Sequence, residues 1–333
     1  MALAACWAVA AGPAAATPRG YRTTELAGIG SGISAVAYAP DGTLYVAEMG
    51  SSDLTVIAPD GARSSLPLVG AALVGPSGMW VGPAGTTVYV ADNKNFADGA
   101  GDLYAVRVAD GQAETVLSGI DFIDDVAVRS TGEIFIADAA GMGFGAVYQA
   151  VYDNVGGSYS AVPVVTGLDF VAGLAFDPAG NLIYQQAATF DFIGEVYRLP
   201  IIDGGGPLAF GSPELLATGL SAAMDLAVDG EADVFVSGGG GVFQLDRDAG
   251  GAFTGTASAF RNHGFSTEIA FGAGAVPFEP FAGWHDGGHL TYVPSYGADA
   301  LADVTTVPEP TVAALTTLGG LAILRRRMRG RTR

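Results

Sequence analysis

Apolar residues in this chain recur in short triplets, with no long runs and no helical spacing. Five segments repeat one arrangement, two apolar triplets whose centres stand eight or nine residues apart. The first triplets are Val36-Ala37-Tyr38, Met79-Trp80-Val81, Val126-Ala127-Val128, Leu174-Ala175-Phe176 and Leu226-Ala227-Val228. Their partners are Leu44-Tyr45-Val46, Val88-Tyr89-Val90, Ile134-Phe135-Ile136, Leu182-Ile183-Tyr184 and Val234-Phe235-Val236. Asp41-Gly42, Gly85, Gly132, Gly180 and Asp229-Gly230 lie between the partners and suit a hairpin turn with positive φ. Each pair therefore reads as two antiparallel strands.

Third strands are predicted over 54–57, 103–106, 146–150, 196–199 and 242–245, and fourth strands over 64–66, 114–117, 162–165, 214–216 and 256–260. The centres of the second strands recur every 44 to 52 residues. Four strands per period of about 40–50 residues predict a β-propeller, in which stacking buries both faces of each small sheet. Ile269-Ala270-Phe271 copies a first strand and residues 290–293 a later one. The segment 21–26, followed by Ala27-Gly28, matches the fourth-strand endings Leu117-Ser118-Gly119 and Ala217-Thr218-Gly219, so the N-terminal strand is expected to complete the last blade. The expected fold class is all-β, a six-bladed β-propeller over residues 20–303, with five or seven blades as the alternatives.

Composition and charge agree. Fifty glycines among 333 residues serve many tight turns, and a single Cys excludes a disulfide scaffold. Residues 20–310 hold 34 acids against 8 bases, a net charge of −26. Such a surface repels phosphate backbones and argues against a nucleic-acid partner.

Both ends carry targeting patterns. Residues 1–16 are uncharged and apolar and end in Ala14-Ala15-Ala16, a small-residue site of the kind signal peptidase cuts. This reads as a signal peptide lacking its basic start, with a disordered Ala-rich terminus as the alternative. Leu3-Ala4-Ala5-Cys6 resembles a lipobox, but Cys6 has no apolar segment before it. At the other end Pro308-Glu309-Pro310 precedes an uncharged run, 311–324, and then Arg325, Arg326 and Arg327 with three further arginines. Fourteen residues span about 21 Å as a helix, a short transmembrane helix against a core of about 30 Å, with the arginines as its cytoplasmic stop. In order and position these parts resemble the PEP-CTERM sorting signal of bacterial surface proteins, over residues 307–333. The resemblance implies handling by an exosortase, export, and a cell-surface or extracellular destination with a C-terminal membrane anchor before processing.

Within the body, Ala39-Pro40-Asp41-Gly42-Thr43-Leu44-Tyr45-Val46-Ala47-Glu48 and Asp177-Pro178-Ala179-Gly180-Asn181-Leu182-Ile183-Tyr184 resemble NHL-type and gluconolactonase-like propellers. The resemblance bears on fold more than on activity. Gluconolactonase-like enzymes hold a divalent ion with acidic and Asn side chains on the axis, and no Asn stands at a comparable inner position here.

Candidate chemistry lies at the channel mouth, where second strands end and first strands begin. Glu48, Asp92, Asp138, Asp125, Asp225 and Glu268 are expected to ring that mouth, read first as a wet acidic rim without a bound ion, with ligation of Ca²⁺ by their oxygens as the alternative. The loop from Asp92 to Asp102 fails as an EF-hand, because Lys94 and Phe96 stand where oxygen ligands are needed. His285 and His289 are separated by Gly287-Gly288, which favours a turn over a zinc-binding helix face. Asp121-Phe122 and Asp169-Phe170 occupy matching positions between blades and are read as ligand-binding loops. No nucleophile elbow, Walker lysine or H-E-x-x-H is present, and the catalytic residues are not identifiable. The sequence thus ranks a surface binding or matrix-interaction module, with exopolysaccharide or a surface protein as partner, ahead of an enzyme. The alternative is a metal-dependent hydrolase, lactonase- or esterase-like, at the mouth.

Overall fold

The computed structural model describes residues 21–27, 29, 32–94, 99–141, 143–187, 193–262, 266–272, 289–294 and 300–306. The described residues are all-β and contain no helix. Apart from one two-stranded pair, Ile201–Ile202 with Ala209–Phe210, their strands fall into antiparallel groups of four, labelled sheets I to VI. Sheet I comprises Ile33–Tyr38, Leu44–Glu48, Asp53–Ile57 and Arg63–Pro67. Sheet II comprises Pro76–Val81, Thr87–Asp92, Gly101–Arg107 and Ala113–Ile120. Sheet III is Ile123–Val128, Ile134–Asp138, Gly145–Asp153 and Ser158–Leu168. Sheet IV is Val171–Phe176, Leu182–Ala187, Ile193–Leu199 and Glu214–Ser221. Sheet V is Asp225–Val228, Val234–Gly238, Gly241–Arg247 and Phe253–Asn262. One parallel bridge, Ala217 with Gly255, links the outer strands of IV and V.

Sheet VI is assembled from both ends of the chain. Ile269–Gly272 pairs with His289–Tyr292, which pairs with Ala300–Thr306, and Tyr21–Ala27 adds the outer strand. The register sets Tyr21 opposite Thr306 and Ala27 opposite Ala300. The first strands touch in a closed cycle, I to II and onward to VI and back to I. This arrangement is consistent with a β-propeller.

The inner strands are rich in Val, Ile, Leu and Ala because each is covered on both faces. Buried clusters lie between successive sheets, for example Val126, Val128, Ile134 and Ile136 between II and III. Phe135 meets Phe176 and Phe210 edge to face between III and IV, with ring centroids 5.6 and 6.1 Å apart.

The first hairpin turns follow expectation at Gly42, Gly85, Gly132 and Gly180, all at positive φ. In sheet V the expected Asp229-Gly230 is displaced. Ala232 takes the left-handed conformation at φ 69°, and its N–H reaches the Asp229 carbonyl as Gly42 reaches Ala39. The segments 1–16 and 307–333, including Pro308, Glu309, Pro310, Arg325, Arg326 and Arg327, lie outside the described residues. Among the described residues no helix is long and apolar enough to cross a membrane.

Candidate functional site

The innermost strands of sheets I to IV each begin with a bulge, at Ser34, Ser77, Asp124 and Ala172. A bulge re-aims side chains and is common beside functional openings. The residues that follow, Ala35, Gly78, Asp125 and Gly173, align with Asp225 and Glu268 of sheets V and VI. Together they form a ring around the axis.

Asp125 and Asp225 stitch this ring. Asp125 Oδ1 accepts the N–H of Val126 at 2.7 Å, and Oδ2 accepts the N–H of Leu174 in the next sheet at 2.7 Å. Asp225 repeats the pattern with Leu226 at 2.7 Å and Ile269 at 2.9 Å. Gly78 and Gly173 make room for the neighbouring aspartates. A Cβ at Gly78 would lie 2.3 Å from Asp125 Oδ1, and one at Gly173 would lie 2.9 Å from Asp225 Cα. Side chains of the preceding sheet also hold carbonyls ahead of the ring: Ser77 holds Ile123, Gln185 holds Ala223 and Ser237 holds Thr267.

The expected six-carboxylate mouth is therefore two sets with different roles. Glu48, Asp92 and Asp138, at the ends of second strands, turn back on their own sheets. Asp92 accepts the N–H groups of Val74, Gly75 and Lys94 and pairs with the Lys94 ammonium at 2.9 Å. Asp138 accepts those of Phe122 and Ala140, and Glu48 accepts the Thr55 hydroxyl. Backbone donors need capping wherever a corner is buried, and Asp92 and Asp138 supply it.

On the axis stand Asp124, Asp125, Asp225 and Glu268. Burial raises the carboxyl of Asp225 to about 7, although its backbone donors act to lower it. Burial, then the Asp225 charge, pushes Asp125 well above the usual carboxylate range against the pull of its two N–H donors. Asp124 is raised by burial and by Asp225 and Asp138, and Glu268 by burial and by Asp225, Asp125 and Asp124. Like charges in one enclosure oppose one another, so ionising one of these acids disfavours ionising the next. Asp125 and Asp225 are only 6% and 7% exposed and are occupied with backbone donors. Asp124 and Glu268 are half-buried and keep contact with solvent. At positions equivalent to Asp124, Ser34 Oγ and Thr267 Oγ1 are buried with no hydrogen-bond partner among the described residues.

Trp80 sits two residues below Gly78, where the other first strands carry Ala37, Ala127, Ala175, Ala227 and Ala270. It packs against the buried clusters of II with III, III with IV, and IV with V. Only a side chain near the common axis reaches all three. Its indole meets Phe176 edge to face at 6.4 Å.

The Ca²⁺ alternative has no site shown among the described residues. Among the described residues no three His, Cys, Asp or Glu side chains converge as a metal site requires. Ca²⁺ takes about six to eight oxygens, whereas Asp125 and Asp225 already spend both of theirs on backbone donors. In the loop after Asp92, the Lys94 ammonium occupies the place of a cation, bonded to Asp92 and Tyr104 and 3.4 Å from Asp102. Burial acts to lower the Lys94 ammonium, but its bonds to Tyr104 and Asp92 outweigh this and hold it above its usual value.

The two loops read as ligand-binding do match in geometry. The Phe122 and Phe170 carbonyls each accept an N–H at the end of their own second strand, from Ala139 just past it and from Ala187, its last residue. Both rings are half-buried, Phe170 at a strained φ of 41°, and Asp169 Oδ1 accepts the Gly143 N–H at 2.6 Å while Asp121 is exposed. Their aromatic faces are thus less available than the sequence suggests. His263 and His285 lie outside the described residues, as does the His289 side chain.

Asp124 is the axial acid that sequence reasoning missed. A strict two-residue alternation assigns only one of Asp124-Asp125 to the axis. The signal was a doublet aligned with Ser77-Gly78 and Ala172-Gly173, all at the head of a first strand.

No family model and no curated protein matches the chain. Solved structures similar to it include a gluconolactonase from Xanthomonas campestris, at 17% identity and TM-score 0.63, covering 91% of this chain and 100% of that one. The PQQ-bound aldose sugar dehydrogenase from Streptomyces coelicolor is similar at 16% identity and TM-score 0.56, covering 88% and 100%. A luciferin-regenerating enzyme is similar at 12% identity and TM-score 0.59, covering 86% and 96%. At these identities the likeness bears on the fold alone, a propeller body of the gluconolactonase-like kind.

Proposed function

We propose that the chain is a six-bladed propeller whose axial well hydrolyses a small neutral ester or lactone by acid–base chemistry. The observation that carries the reading is the placement of Asp124 and Glu268, two half-buried acids beside Asp125 and Asp225 at the heads of the first strands, with both carboxyls raised by burial and neighbouring charge. In the ionised state one takes a proton from water as the water oxygen bonds to the carbonyl carbon. The other, still protonated, gives its proton to the departing alkoxide as the C–O bond breaks, leaving an acid and an alcohol. The named activity of the Xanthomonas structure favours hydrolysis over the binding-module reading.

The test is hydrolysis of aldonolactones and p-nitrophenyl esters by the full chain, with and without chelator and added Ca²⁺. Asp124→Asn and Glu268→Gln are each expected to lower kcat by about 10²-fold or more. A rate equal to buffer, or one that both substitutions leave unchanged, would sink the proposal.

Export is the second part of the reading, supported by Pro308-Glu309-Pro310, the apolar run and the arginines that follow, and by the apolar leader ending in Ala14-Ala15-Ala16. Signal peptidase and an exosortase are the proposed processing partners, and the cell surface or extracellular matrix the destination. Residues 305–333 fused to a secreted reporter should direct it to the surface fraction, and unchanged sorting after Pro308-Glu309-Pro310 is altered would remove the exosortase.

A further inference from the structure

A groove of about 420 Å³ runs along the outside of the molecule, between the outer strand of sheet II and the long hairpin of sheet III. Its walls include Glu114, Thr115, Ser118, Tyr152, Ser158 and Tyr159. Tyr152 and Tyr159 face each other across the hairpin as register partners, ring centroids 4.9 Å apart and planes tilted by 58°. They remain 47% and 36% exposed. None of these six side chains is spent on a hydrogen bond or ion pair among the described residues. The groove thus offers a two-ring platform beside open hydroxyls and one carboxylate, with no Lys or Arg in its lining.

We infer that this groove binds a neutral carbohydrate chain. Aromatic faces take the C–H surfaces of a sugar ring, while hydroxyls and a carboxylate bond to its hydroxyls. An anionic glycan would meet Glu114 in a body of net charge −26, without a cation to receive it. An apolar ligand would leave these polar groups unpaired. An extended peptide added to the outer strand Ser158–Leu168 is the rival occupant, but Pro163 interrupts that edge. The groove lies on the rim, away from the axial acids, and the inference does not rest on the proposed hydrolysis.

The experiment is calorimetric titration of the full chain with maltohexaose, cellohexaose and laminarihexaose, and with an alternating Thr-Val heptapeptide. At least one hexasaccharide should bind, and joint Tyr152→Ala and Tyr159→Ala should weaken it by about ten-fold or more. Joint Tyr→Phe substitution, which keeps the rings, should hold affinity within about three-fold. Ser158→Trp, which fills the groove without touching the tyrosines, should also abolish binding. Both tyrosine variants should retain the wild-type Tm and lactone hydrolysis. No hexasaccharide bound up to about 10 mM, wild-type affinity kept in the Ala or the Trp variant, or preference for the peptide would each overturn the site.

Discussion

Replacing Asp225 with Asn tests the ring directly, through the pH dependence of stability. In the native state burial lifts the carboxyl to about 7, against an unperturbed value of 3.8. As pH rises from about 4 to 7 the unfolded chain releases this proton while the native protein keeps it. Stability must therefore fall across that window, by at most about 1.4 kcal/mol per pH unit for this group and about 4 kcal/mol in all. Asp124, Asp125 and Glu268 are raised in the same direction and add to the decline. Asn carries one acceptor where the carboxylate presents two, to Leu226 and Ile269. One backbone N–H is then left without its partner, at a cost of about 1–3 kcal/mol. At pH 5 the variant should be less stable by that amount. Near pH 8, where ionising the native acid is itself costly, the gap should close or reverse. Urea denaturation followed by tryptophan fluorescence at half-unit steps from pH 5 to 8.5 measures both curves. A wild type whose stability rises over this range, or a variant with an undiminished slope, would refute the reasoning.

Gly78→Ala should be severely destabilising, by about 1–3 kcal/mol or more, because the new methyl overlaps Asp125 Oδ1 and meets the Asp124 carbonyl oxygen at 2.7 Å; thermal melting reads the loss, and an unchanged Tm would mean the sheets separate freely there. Trp80→Ala should cost about 2–4 kcal/mol in chemical denaturation, since one side chain serves three inter-sheet clusters and its removal leaves a cavity. Ala232→Gly should stabilise by about 0.5–1 kcal/mol, as glycine relieves the left-handed backbone at φ 69°; a lowered Tm would contradict the turn geometry.

The hairpin grammar was legible because every inner strand is buried on both faces and announces itself as an apolar triplet. The closing strand at Tyr21–Ala27 was legible from its Leu-Ala-Gly ending alone. Its partner, Ala300–Thr306, was not: Ala-Leu-Ala-Asp-Val-Thr-Thr lacks a triplet and has no paired hairpin nearby. Gly230 misled because composition marks where a turn falls but not which residue bears the positive φ. The site was half legible. Sequence position brought Asp125, Asp225 and Glu268 to the axis, yet it could not tell acids that face inward from Asp92 and Asp138, which serve their own corners. Nor does a lone Trp in a strand triplet declare that it lies where the sheets converge.

The register of sheet VI fixes how the molecule can be held. Tyr21 and Thr306 are direct neighbours, so the two ends of the described body lie side by side. Ala27, at the far end of its strand, leads to the link into sheet I on the face where the axial acids open. Those two ends therefore lie on the opposite underside. A leash at either terminus would grip the disc from below and point the acidic bowl outward, and cutting one leash would leave that orientation to the other.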